Sequence, residues 1–196
     1  MPASPVDLLA CRFFPFASTP SSVSLQSRNL WLTIFGNSMF NVCHVISGDL
    51  WAGAEVMAYH LLKGLQAYDE LELSAILLNE GRIADELRKL RIKVHVIDES
   101  KTSFLNTLLT IRRILVERPP NLIHSHRYKE NILASVISRS LPGLKLIATQ
   151  HGKPGVHGNK LKHLLISKCN LFALSRRFQR IVAVSQEIKE TFVDRY

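Results

Sequence analysis

The stretch that decides the fold is NVCHVISGDLWAGAEVMAYHLLKGLQA, residues 41–67. Val42-Cys43-His44-Val45-Ile46 is short, apolar and β-branched, the composition of a buried strand. Ser47 to Gly53 follows as a loop of small residues with glycines at 48 and 53. After Gly53 the period changes. Ala54, Ala58, Leu61, Leu62 and Leu65 fall on one helical face, with Glu55, Lys63 and Gln66 on the other. Strand, glycine loop and helix form the unit that opens a nucleotide-binding α/β domain. Its glycines admit a ligand close to the backbone, and the helix start presents N–H groups to an anion. Two glycines five apart are not the dinucleotide fingerprint, and no lysine with Ser/Thr completes a P-loop. A plain βα turn fits the loop on spacing alone as well as a phosphate or sugar site does, and Glu55 suits any first helical turn.

Outward from that unit the alternation is regular. Leu71–Leu78 predicts a second strand, Ile83–Leu90 a short helix, and Lys93–Ile97 a third strand. Ser103 caps a helix running to Glu117 with a stripe of Phe104, Leu108, Ile111 and Leu115, and Pro119-Pro120 ends it. Leu122–Ser125 is a fourth strand. Tyr128–Ser140 is a helix with Ile132, Val136 and Arg139 on successive turns. Leu144–Thr149 is a fifth strand and Ile181–Val184 a sixth, and a last helix starts at Gln186. Strict alternation implies a Rossmann-like α/β fold, a parallel sheet with helices on both faces. Ligands of such sheets bind beyond the carboxyl ends of the strands.

Residues 1–38 differ from the rest. They hold four of the eight prolines and seven serines, with one acid and two arginines. No apolar run there is long enough to span a membrane, and Met1 to Asp7 lacks the early positive charge of a signal peptide. We expect a disordered or non-native leader over 1–38 and a domain over 39–196, with Met39 as the genuine start. The formal charge is +9, and Asn131 to Gln186 contains nine Lys/Arg and no acid, a region that attracts phosphates. KLKHLLISKCNLFALSRRFQR, residues 160–180, is basic and amphipathic, suited to an anionic membrane or to a helix whose cations face water. It lacks the aromatic interleaving of a nucleic-acid surface, so no nucleic acid is expected. Three dispersed cysteines and no CxxC suit a reducing cytosol.

Polar residues gather at the strand ends. After strand four come His124-Ser125-His126-Arg127-Tyr128-Lys129, and after strand five Gln150-His151-Gly152-Lys153. His124 and His126 share one side of an extended segment. No third ligand lies in sequence reach, so no metal is expected. Hydrogen bonding or phosphate contact suits His126, Arg127 and Lys129. The acid-free glycine loop at 149–158 suits either a site wall or a surface connection.

Strand-Gly-x4-Gly-Ala-Glu-helix, then LIHSHRYKEN, then TQHG, then IVAVSQEIK resembles the N-terminal domain of the family 4 glycosyltransferases over residues 41–196. The resemblance implies a retaining enzyme and the N-terminal, acceptor-side half of a GT-B fold, the C-terminal donor-binding domain being absent. It implies transfer of a sugar from a nucleotide-sugar donor to a glycan or a lipid-linked or lipopolysaccharide acceptor. An alternative is a non-catalytic acceptor-binding subunit, or a truncated remnant, that needs a separate donor-binding chain. By the resemblance His126 is the catalytic-site histidine beside the transferred sugar. Gly48, Ala52, Gly53, Ala54 and Glu55 form the donor-facing loop, and His151 and Gly152 line the acceptor side. Arg127, Lys129, His151, Gly152 and Lys153 are the candidate phosphate or acceptor contacts. The nucleotide sugar is a co-substrate and no further cofactor or metal is expected. The expected location is the cytoplasm, peripheral at the inner membrane. The isolated chain is expected to be inactive.

Overall fold

The computed structural model describes residues 8–10, 39–152 and 160–193. Strand β1 is Leu8–Ala10, followed by β2 Phe40–Ile46, α1 Gly53–Leu65, β3 Leu71–Leu77, α2 Arg82–Lys89 and β4 Lys93–Val96. Then come α3 Phe104–Glu117, β5 Leu122–Ser125, α4 Tyr128–Ile137 with a 3-10 turn at Ser138–Ser140, β6 Lys145–Gln150, α5 Lys160–Arg177, β7 Arg180–Ala183 and α6 Gln186–Val193. All strand pairs are parallel, in the order β1-β7-β6-β5-β2-β3-β4. The Rossmann-like sheet expected from the alternation is present. Leu8–Ala10 adds a short edge strand beside β7, inside the segment expected to be a disordered or non-native leader. The remainder of residues 1–38 lies outside the described residues, as does Lys153.

Strand periodicity divides the core. Cys43 and Val45 of β2, with Ile76 of β3, pack into one cluster with Ile111, Leu115, Leu133, Ile137 and Leu174 of α3, α4 and α5. Ile46 of β2 and Ala75 and Leu77 of β3 point the other way, onto Ala58, Leu62, Ile83 and Leu87 of α1 and α2. Two helical faces depart from the expected stripes. In α3 Phe104 is exposed and Thr107 takes the inner position beside Ile111 and Leu115. In α4 Val136 is exposed, and the buried face is Leu133, Ala134 and Ile137 together with Glu130, Asn131 and Ser135. Side-chain hydrogen bonds make this polar burial tolerable. Ser125 Oγ donates to Asn131 Oδ1 at 2.6 Å, and Asn131 Nδ2 donates to Asn170 Oδ1 at 2.8 Å.

The direction of chain growth reverses at β2, with β3 and β4 added on one side and β5, β6 and β7 on the other. That places the crevice of a doubly wound sheet between the carboxyl ends of β2 and β5. The loop leaving β2 is pinned to the loop leaving β3 by two glycines. Gly48 has φ +83°, and a Cβ there would meet Asn79 O at 2.7 Å. A Cβ on Gly81 would lie 2.4 Å from Gly48 O.

These contacts separate two glycine substitutions by sign. Gly81→Ala forces one backbone away from the other and should destabilise by about 1–3 kcal/mol. Gly64 lies in α1 with nothing within 4 Å of its would-be Cβ, so Gly64→Ala should stabilise by roughly 0.5–1 kcal/mol. Urea unfolding of both variants checks this. A Gly81→Ala protein as stable as wild type would refute the close approach.

Candidate functional site

Four histidines meet where β2, β5 and β6 end. His44 stands in register opposite His124 across the β2–β5 pair, and His126 is two residues on, on the same side of β5. His44 is wholly buried, His126 is 1% exposed and His124 9%. His151, at the end of β6, is half-buried. Their rings form a stack, with centroids 4.5 Å apart for His124 and His126, 5.4 Å for His44 and His126, and 5.6 Å for His126 and His151. His44 Nδ1 lies 3.1 Å from His126 Nε2, and His126 Nδ1 lies 3.3 Å from His151 Nε2. His124 Nε2 meets Thr149 Oγ1 at 2.8 Å. Burial holds His44 and His126 well below the usual imidazole range, aided by the neighbouring rings. Burial likewise lowers His124 and His151 to about 4.

His126 was expected to face a transferred sugar. It is covered, with both ring nitrogens engaged inside the protein, so a ligand reaching this edge meets His151 first. His44, His124 and His126 bring ligand nitrogens within 4.8 Å of one another and are the group among the described residues that could hold a metal ion. A cation there would have to replace the His44–His126 hydrogen bond, which already occupies the facing nitrogens. Sequence reasoning missed His44 because it lies 80 residues from His124. The β2–β5 register is the signal that finds it.

Around the histidines the carboxyl-edge loops are tied together. Ser47 Oγ donates to Glu130 Oε1 at 2.7 Å, joining the β2 loop to the first turn of α4. Asn79 Nδ2 donates to Ser47 O and to Glu99 Oε1, both at 3.3 Å, and Glu99 in turn holds Lys129. Arg127 Nη2 contacts Glu55 Oε1 at 3.0 Å, and its Nη1 lies 3.6 Å from Asp49 Oδ1. Glu55 was expected on the solvent side of its helix and is instead wholly buried, because the first turn of α1 faces Arg127 across the crevice. Burial raises the Glu55 and Glu130 carboxyls, and Arg127 and Ser47 respectively oppose the shift. Both expected phosphate contacts that the structure describes on this strand end, Arg127 and Lys129, are therefore paired with carboxylates.

The donor-facing loop brings Gly48, Ala52, Gly53, Ala54 and Glu55 to the same edge. Ala52 and Gly53 are exposed, and Gly48 and Ala54 are buried. No side chain caps α1 at Ala52 or α4 at Arg127, whereas Ser103 Oγ accepts from Asn106 N–H at the start of α3. At these helix starts the Glu55 carboxylate accepts from the N–H groups of Ala52 and Glu55, and the Glu130 carboxylate from its own N–H, so part of each first turn is met from within. A Cβ on Gly53 or Gly152 would meet nothing within 4 Å, so both positions open onto space. Cys43 is no nucleophile, since burial pushes its thiol up to about 12.

A model of Glycosyltransferase Family 4 matches residues 51–196. No curated protein matches the chain. Among solved structures, Anabaena Alr3699/HepE in complex with UDP gives a TM-score of 0.62 at 14% identity, over 79% of this chain and 40% of that one. The lipopolysaccharide outer core galactosyltransferase WaaB in its apo form gives 0.60 at 14% identity, over 79% and 42%. A Listeria monocytogenes protein described as a UDP-N-acetylglucosamine 2-epimerase gives 0.56 at 14%, over 81% and 42%. Such likeness concerns the fold, which serves more than one reaction. The chain spans about 40% of the length of the structures that it matches.

The histidine stack makes stability depend on pH with a defined sign. Unfolded, these rings take up protons near 6.5; folded, His124 and His151 do so only near 4. Between those values the unfolded chain binds more protons, so stability is full above pH 6.5 and falls as pH drops through the window. For His124 the loss across the window is about 3 kcal/mol. Glu55 and Glu130, with raised carboxyls, act oppositely at the acid end. Urea midpoints should fall from pH 7.5 to 5, and less steeply for His124→Gln. Flat wild-type midpoints would show that the rings are not held neutral.

Proposed function

Since this chain belongs to glycosyltransferase family 4, we propose that it forms the acceptor-side half of a cleft that moves a sugar from a nucleotide-sugar donor to a glycan or a lipid-linked or lipopolysaccharide acceptor. The observation that carries this reading is the crevice at the β2–β5 reversal. There the uncapped starts of α1 and α4, the open positions Gly53 and Gly152, and the half-buried His151 share one edge. Transfer from a nucleotide sugar needs stabilisation of a leaving diphosphate and of oxocarbenium character at the sugar. Of the N–H groups at the α1 start, those that the Glu55 carboxylate does not take supply part of the first. Arg127 supplies the rest only if the diphosphate competes with Glu55 and Asp49 for its guanidinium. Glu55 is paired with Arg127 and Glu130 bonded to Ser47, so neither serves as a nucleophile in this arrangement. The nucleotide-gripping wall and the sugar-binding carboxylate belong on this reading to a second domain. HepE was solved with UDP, which is consistent with a nucleotide-sugar donor for the fold. No metal or further cofactor enters this scheme.

A test follows directly. Purified chain is assayed for hydrolysis and transfer with UDP-, GDP- and ADP-sugars, and by ligand-observed NMR with lipid-linked and lipopolysaccharide glycans. We expect saturation transfer to a glycan and no turnover with any sugar nucleotide. Turnover within the ordinary enzyme range, roughly 1–1000 per second, would overturn the acceptor-half assignment. So would the failure of every glycan to bind.

The acceptor's chemistry also bears on α5. Its outer stripe carries Leu164, Leu165 and Phe172, exposed at 51%, 62% and 57%, beside exposed Lys168 and Arg176. Asn170, Ala173 and Leu174 face inward. No helix among the described residues is long and apolar enough to cross a membrane. A basic apolar stripe is suited to the surface of an anionic bilayer, where each cation contributes about 1 kcal/mol. The protein should therefore float with anionic vesicles at low salt, and replacing Lys168 and Arg176 with glutamine should release it with circular dichroism unchanged. Flotation no better with anionic than with neutral vesicles would refute this reading of the basic stripe.

A further inference from the structure

The three imidazoles His44, His126 and His151 form a chain in which each contact needs one proton between two nitrogens. His44 Nδ1 faces His126 Nε2 at 3.1 Å, and His126 Nδ1 faces His151 Nε2 at 3.3 Å. A cation at His126 is disfavoured, because it is 1% exposed and its electrostatic neighbours are other imidazoles. With one proton on each neutral ring, only two arrangements satisfy both contacts. In the outward one, His44 Nδ1–H donates to His126 Nε2, His126 Nδ1–H donates to His151 Nε2, and His151 carries its proton on Nδ1. In the inward one every proton sits on Nε2, and His44 keeps an Nε2–H.

The environment of His44 chooses between them. Its Nε2 is buried and has no partner among the described residues. The inward arrangement would leave a buried N–H donor unmet, whereas the outward one leaves only a bare lone pair. Orphaned buried donors are the rarer and costlier case. The choice made at the wholly buried His44 is passed through His126 to His151, the half-buried ring of the three.

We propose that His44 is a positioning residue that, through His126, fixes the proton of His151 on Nδ1, so that His151 offers the crevice an N–H donor rather than a lone pair. Such a donor suits an oxygen of an anionic diphosphate or of a sugar hydroxyl, and does not suit the removal of a proton from an acceptor. His151 is thereby a binding group and not a general base. What the donor meets rests on the proposed glycosyl transfer; where the proton sits does not.

The test reads the protons and not the turnover. The chain is labelled with 15N-histidine and its two-bond and three-bond 1H–15N correlations are recorded at pH 7.5. His44, His126 and His151 should each show a protonated Nδ1 and a bare Nε2 well downfield of it. His44→Leu leaves His126 Nε2 facing nothing, where a bare lone pair is again cheaper than an orphaned donor, so the His151 proton should stay on Nδ1. His44→Asp offers His126 Nε2 an acceptor in place of a donor and should move the His151 proton to Nε2. A wild-type His151 protonated on Nε2 overturns the proposal, and that reading stands even if the aspartate variant fails to fold. Unchanged His151 signals in the aspartate variant also overturn it, since His44 would then set nothing. Zinc is added to the wild type as a further arm. One equivalent that shifts the His44 and His126 nitrogens together would show a metal centre in place of the chain, and the proposal would fall. Unchanged signals support it. If the proton pattern is as proposed and no glycan or sugar nucleotide binds, the reading of function fails while the relay stands.

Discussion

Everything at the carboxyl edge is arranged around the burial of His44. It sits inside β2, the strand hydrogen-bonded on both sides at which the sheet reverses its order of growth. An imidazole there has lost its water and needs a partner from the same face of the sheet. The in-register neighbour His124 offers a tilted ring contact, with centroids 4.9 Å apart, and His126 one step further offers a nitrogen at 3.1 Å. That demand draws the end of β5 toward β2. His151 and Thr149 at the end of β6 then complete the partners of His126 and His124. Polar groups that would destabilise an isolated strand therefore bind three strand ends into one edge.

The loops above that edge are held by shape as much as by charge. The Gly48–Gly81 approach leaves no room for a side chain on either residue, which brings the β2 and β3 loops into backbone contact. Ser47, released to the crevice side by that turn, reaches Glu130 in α4. Asn79 spans the β2 and β4 loops through Ser47 O and Glu99. A pre-tied wall of this kind reduces the ordering entropy that a ligand would otherwise have to offset on binding.

The fold was largely legible in the sequence, because alternating strand and helix periods survive wherever elements pack by apolar contact. All six strands from β2 to β7 lie within two residues of their expected bounds, and Ser103 caps α3 as its position implied. Where burial is polar, periodicity misled. Glu55 belongs by its pattern to the wet side of α1, yet Arg127 makes its burial tolerable. Glu130 and Asn131 take core positions in α4 through Ser47, Ser125 and Asn170, and the apolar stripe moves round to Leu133 and Ile137. The short β1 could not be found, since three residues carry no period. At the site the glycine loop and the histidine-bearing strand ends were visible one by one. Their joining through His44 was not, because it depends on a register between strands far apart in the chain.

Charge at the crevice leads to one more step. The chain carries a net +9, but Arg127 and Lys129, the described cations nearest the histidines, are met by Asp49, Glu55 and Glu99. The edge is thus nearly balanced, and the excess positive charge lies elsewhere, in the acid-free run from Asn131 to Gln186. A balanced crevice gives a free anion little long-range attraction. It favours instead a ligand that arrives with hydroxyls and can exchange hydrogen bonds with the bridged loops. Freeing Arg127 for an anion separates it from Glu55, and a wholly buried carboxylate released from its partner is expensive unless it gains a proton. Burial already shifts Glu55 in that direction. Any group that draws Arg127 away from Glu55 is therefore opposed unless the carboxylate takes up a proton.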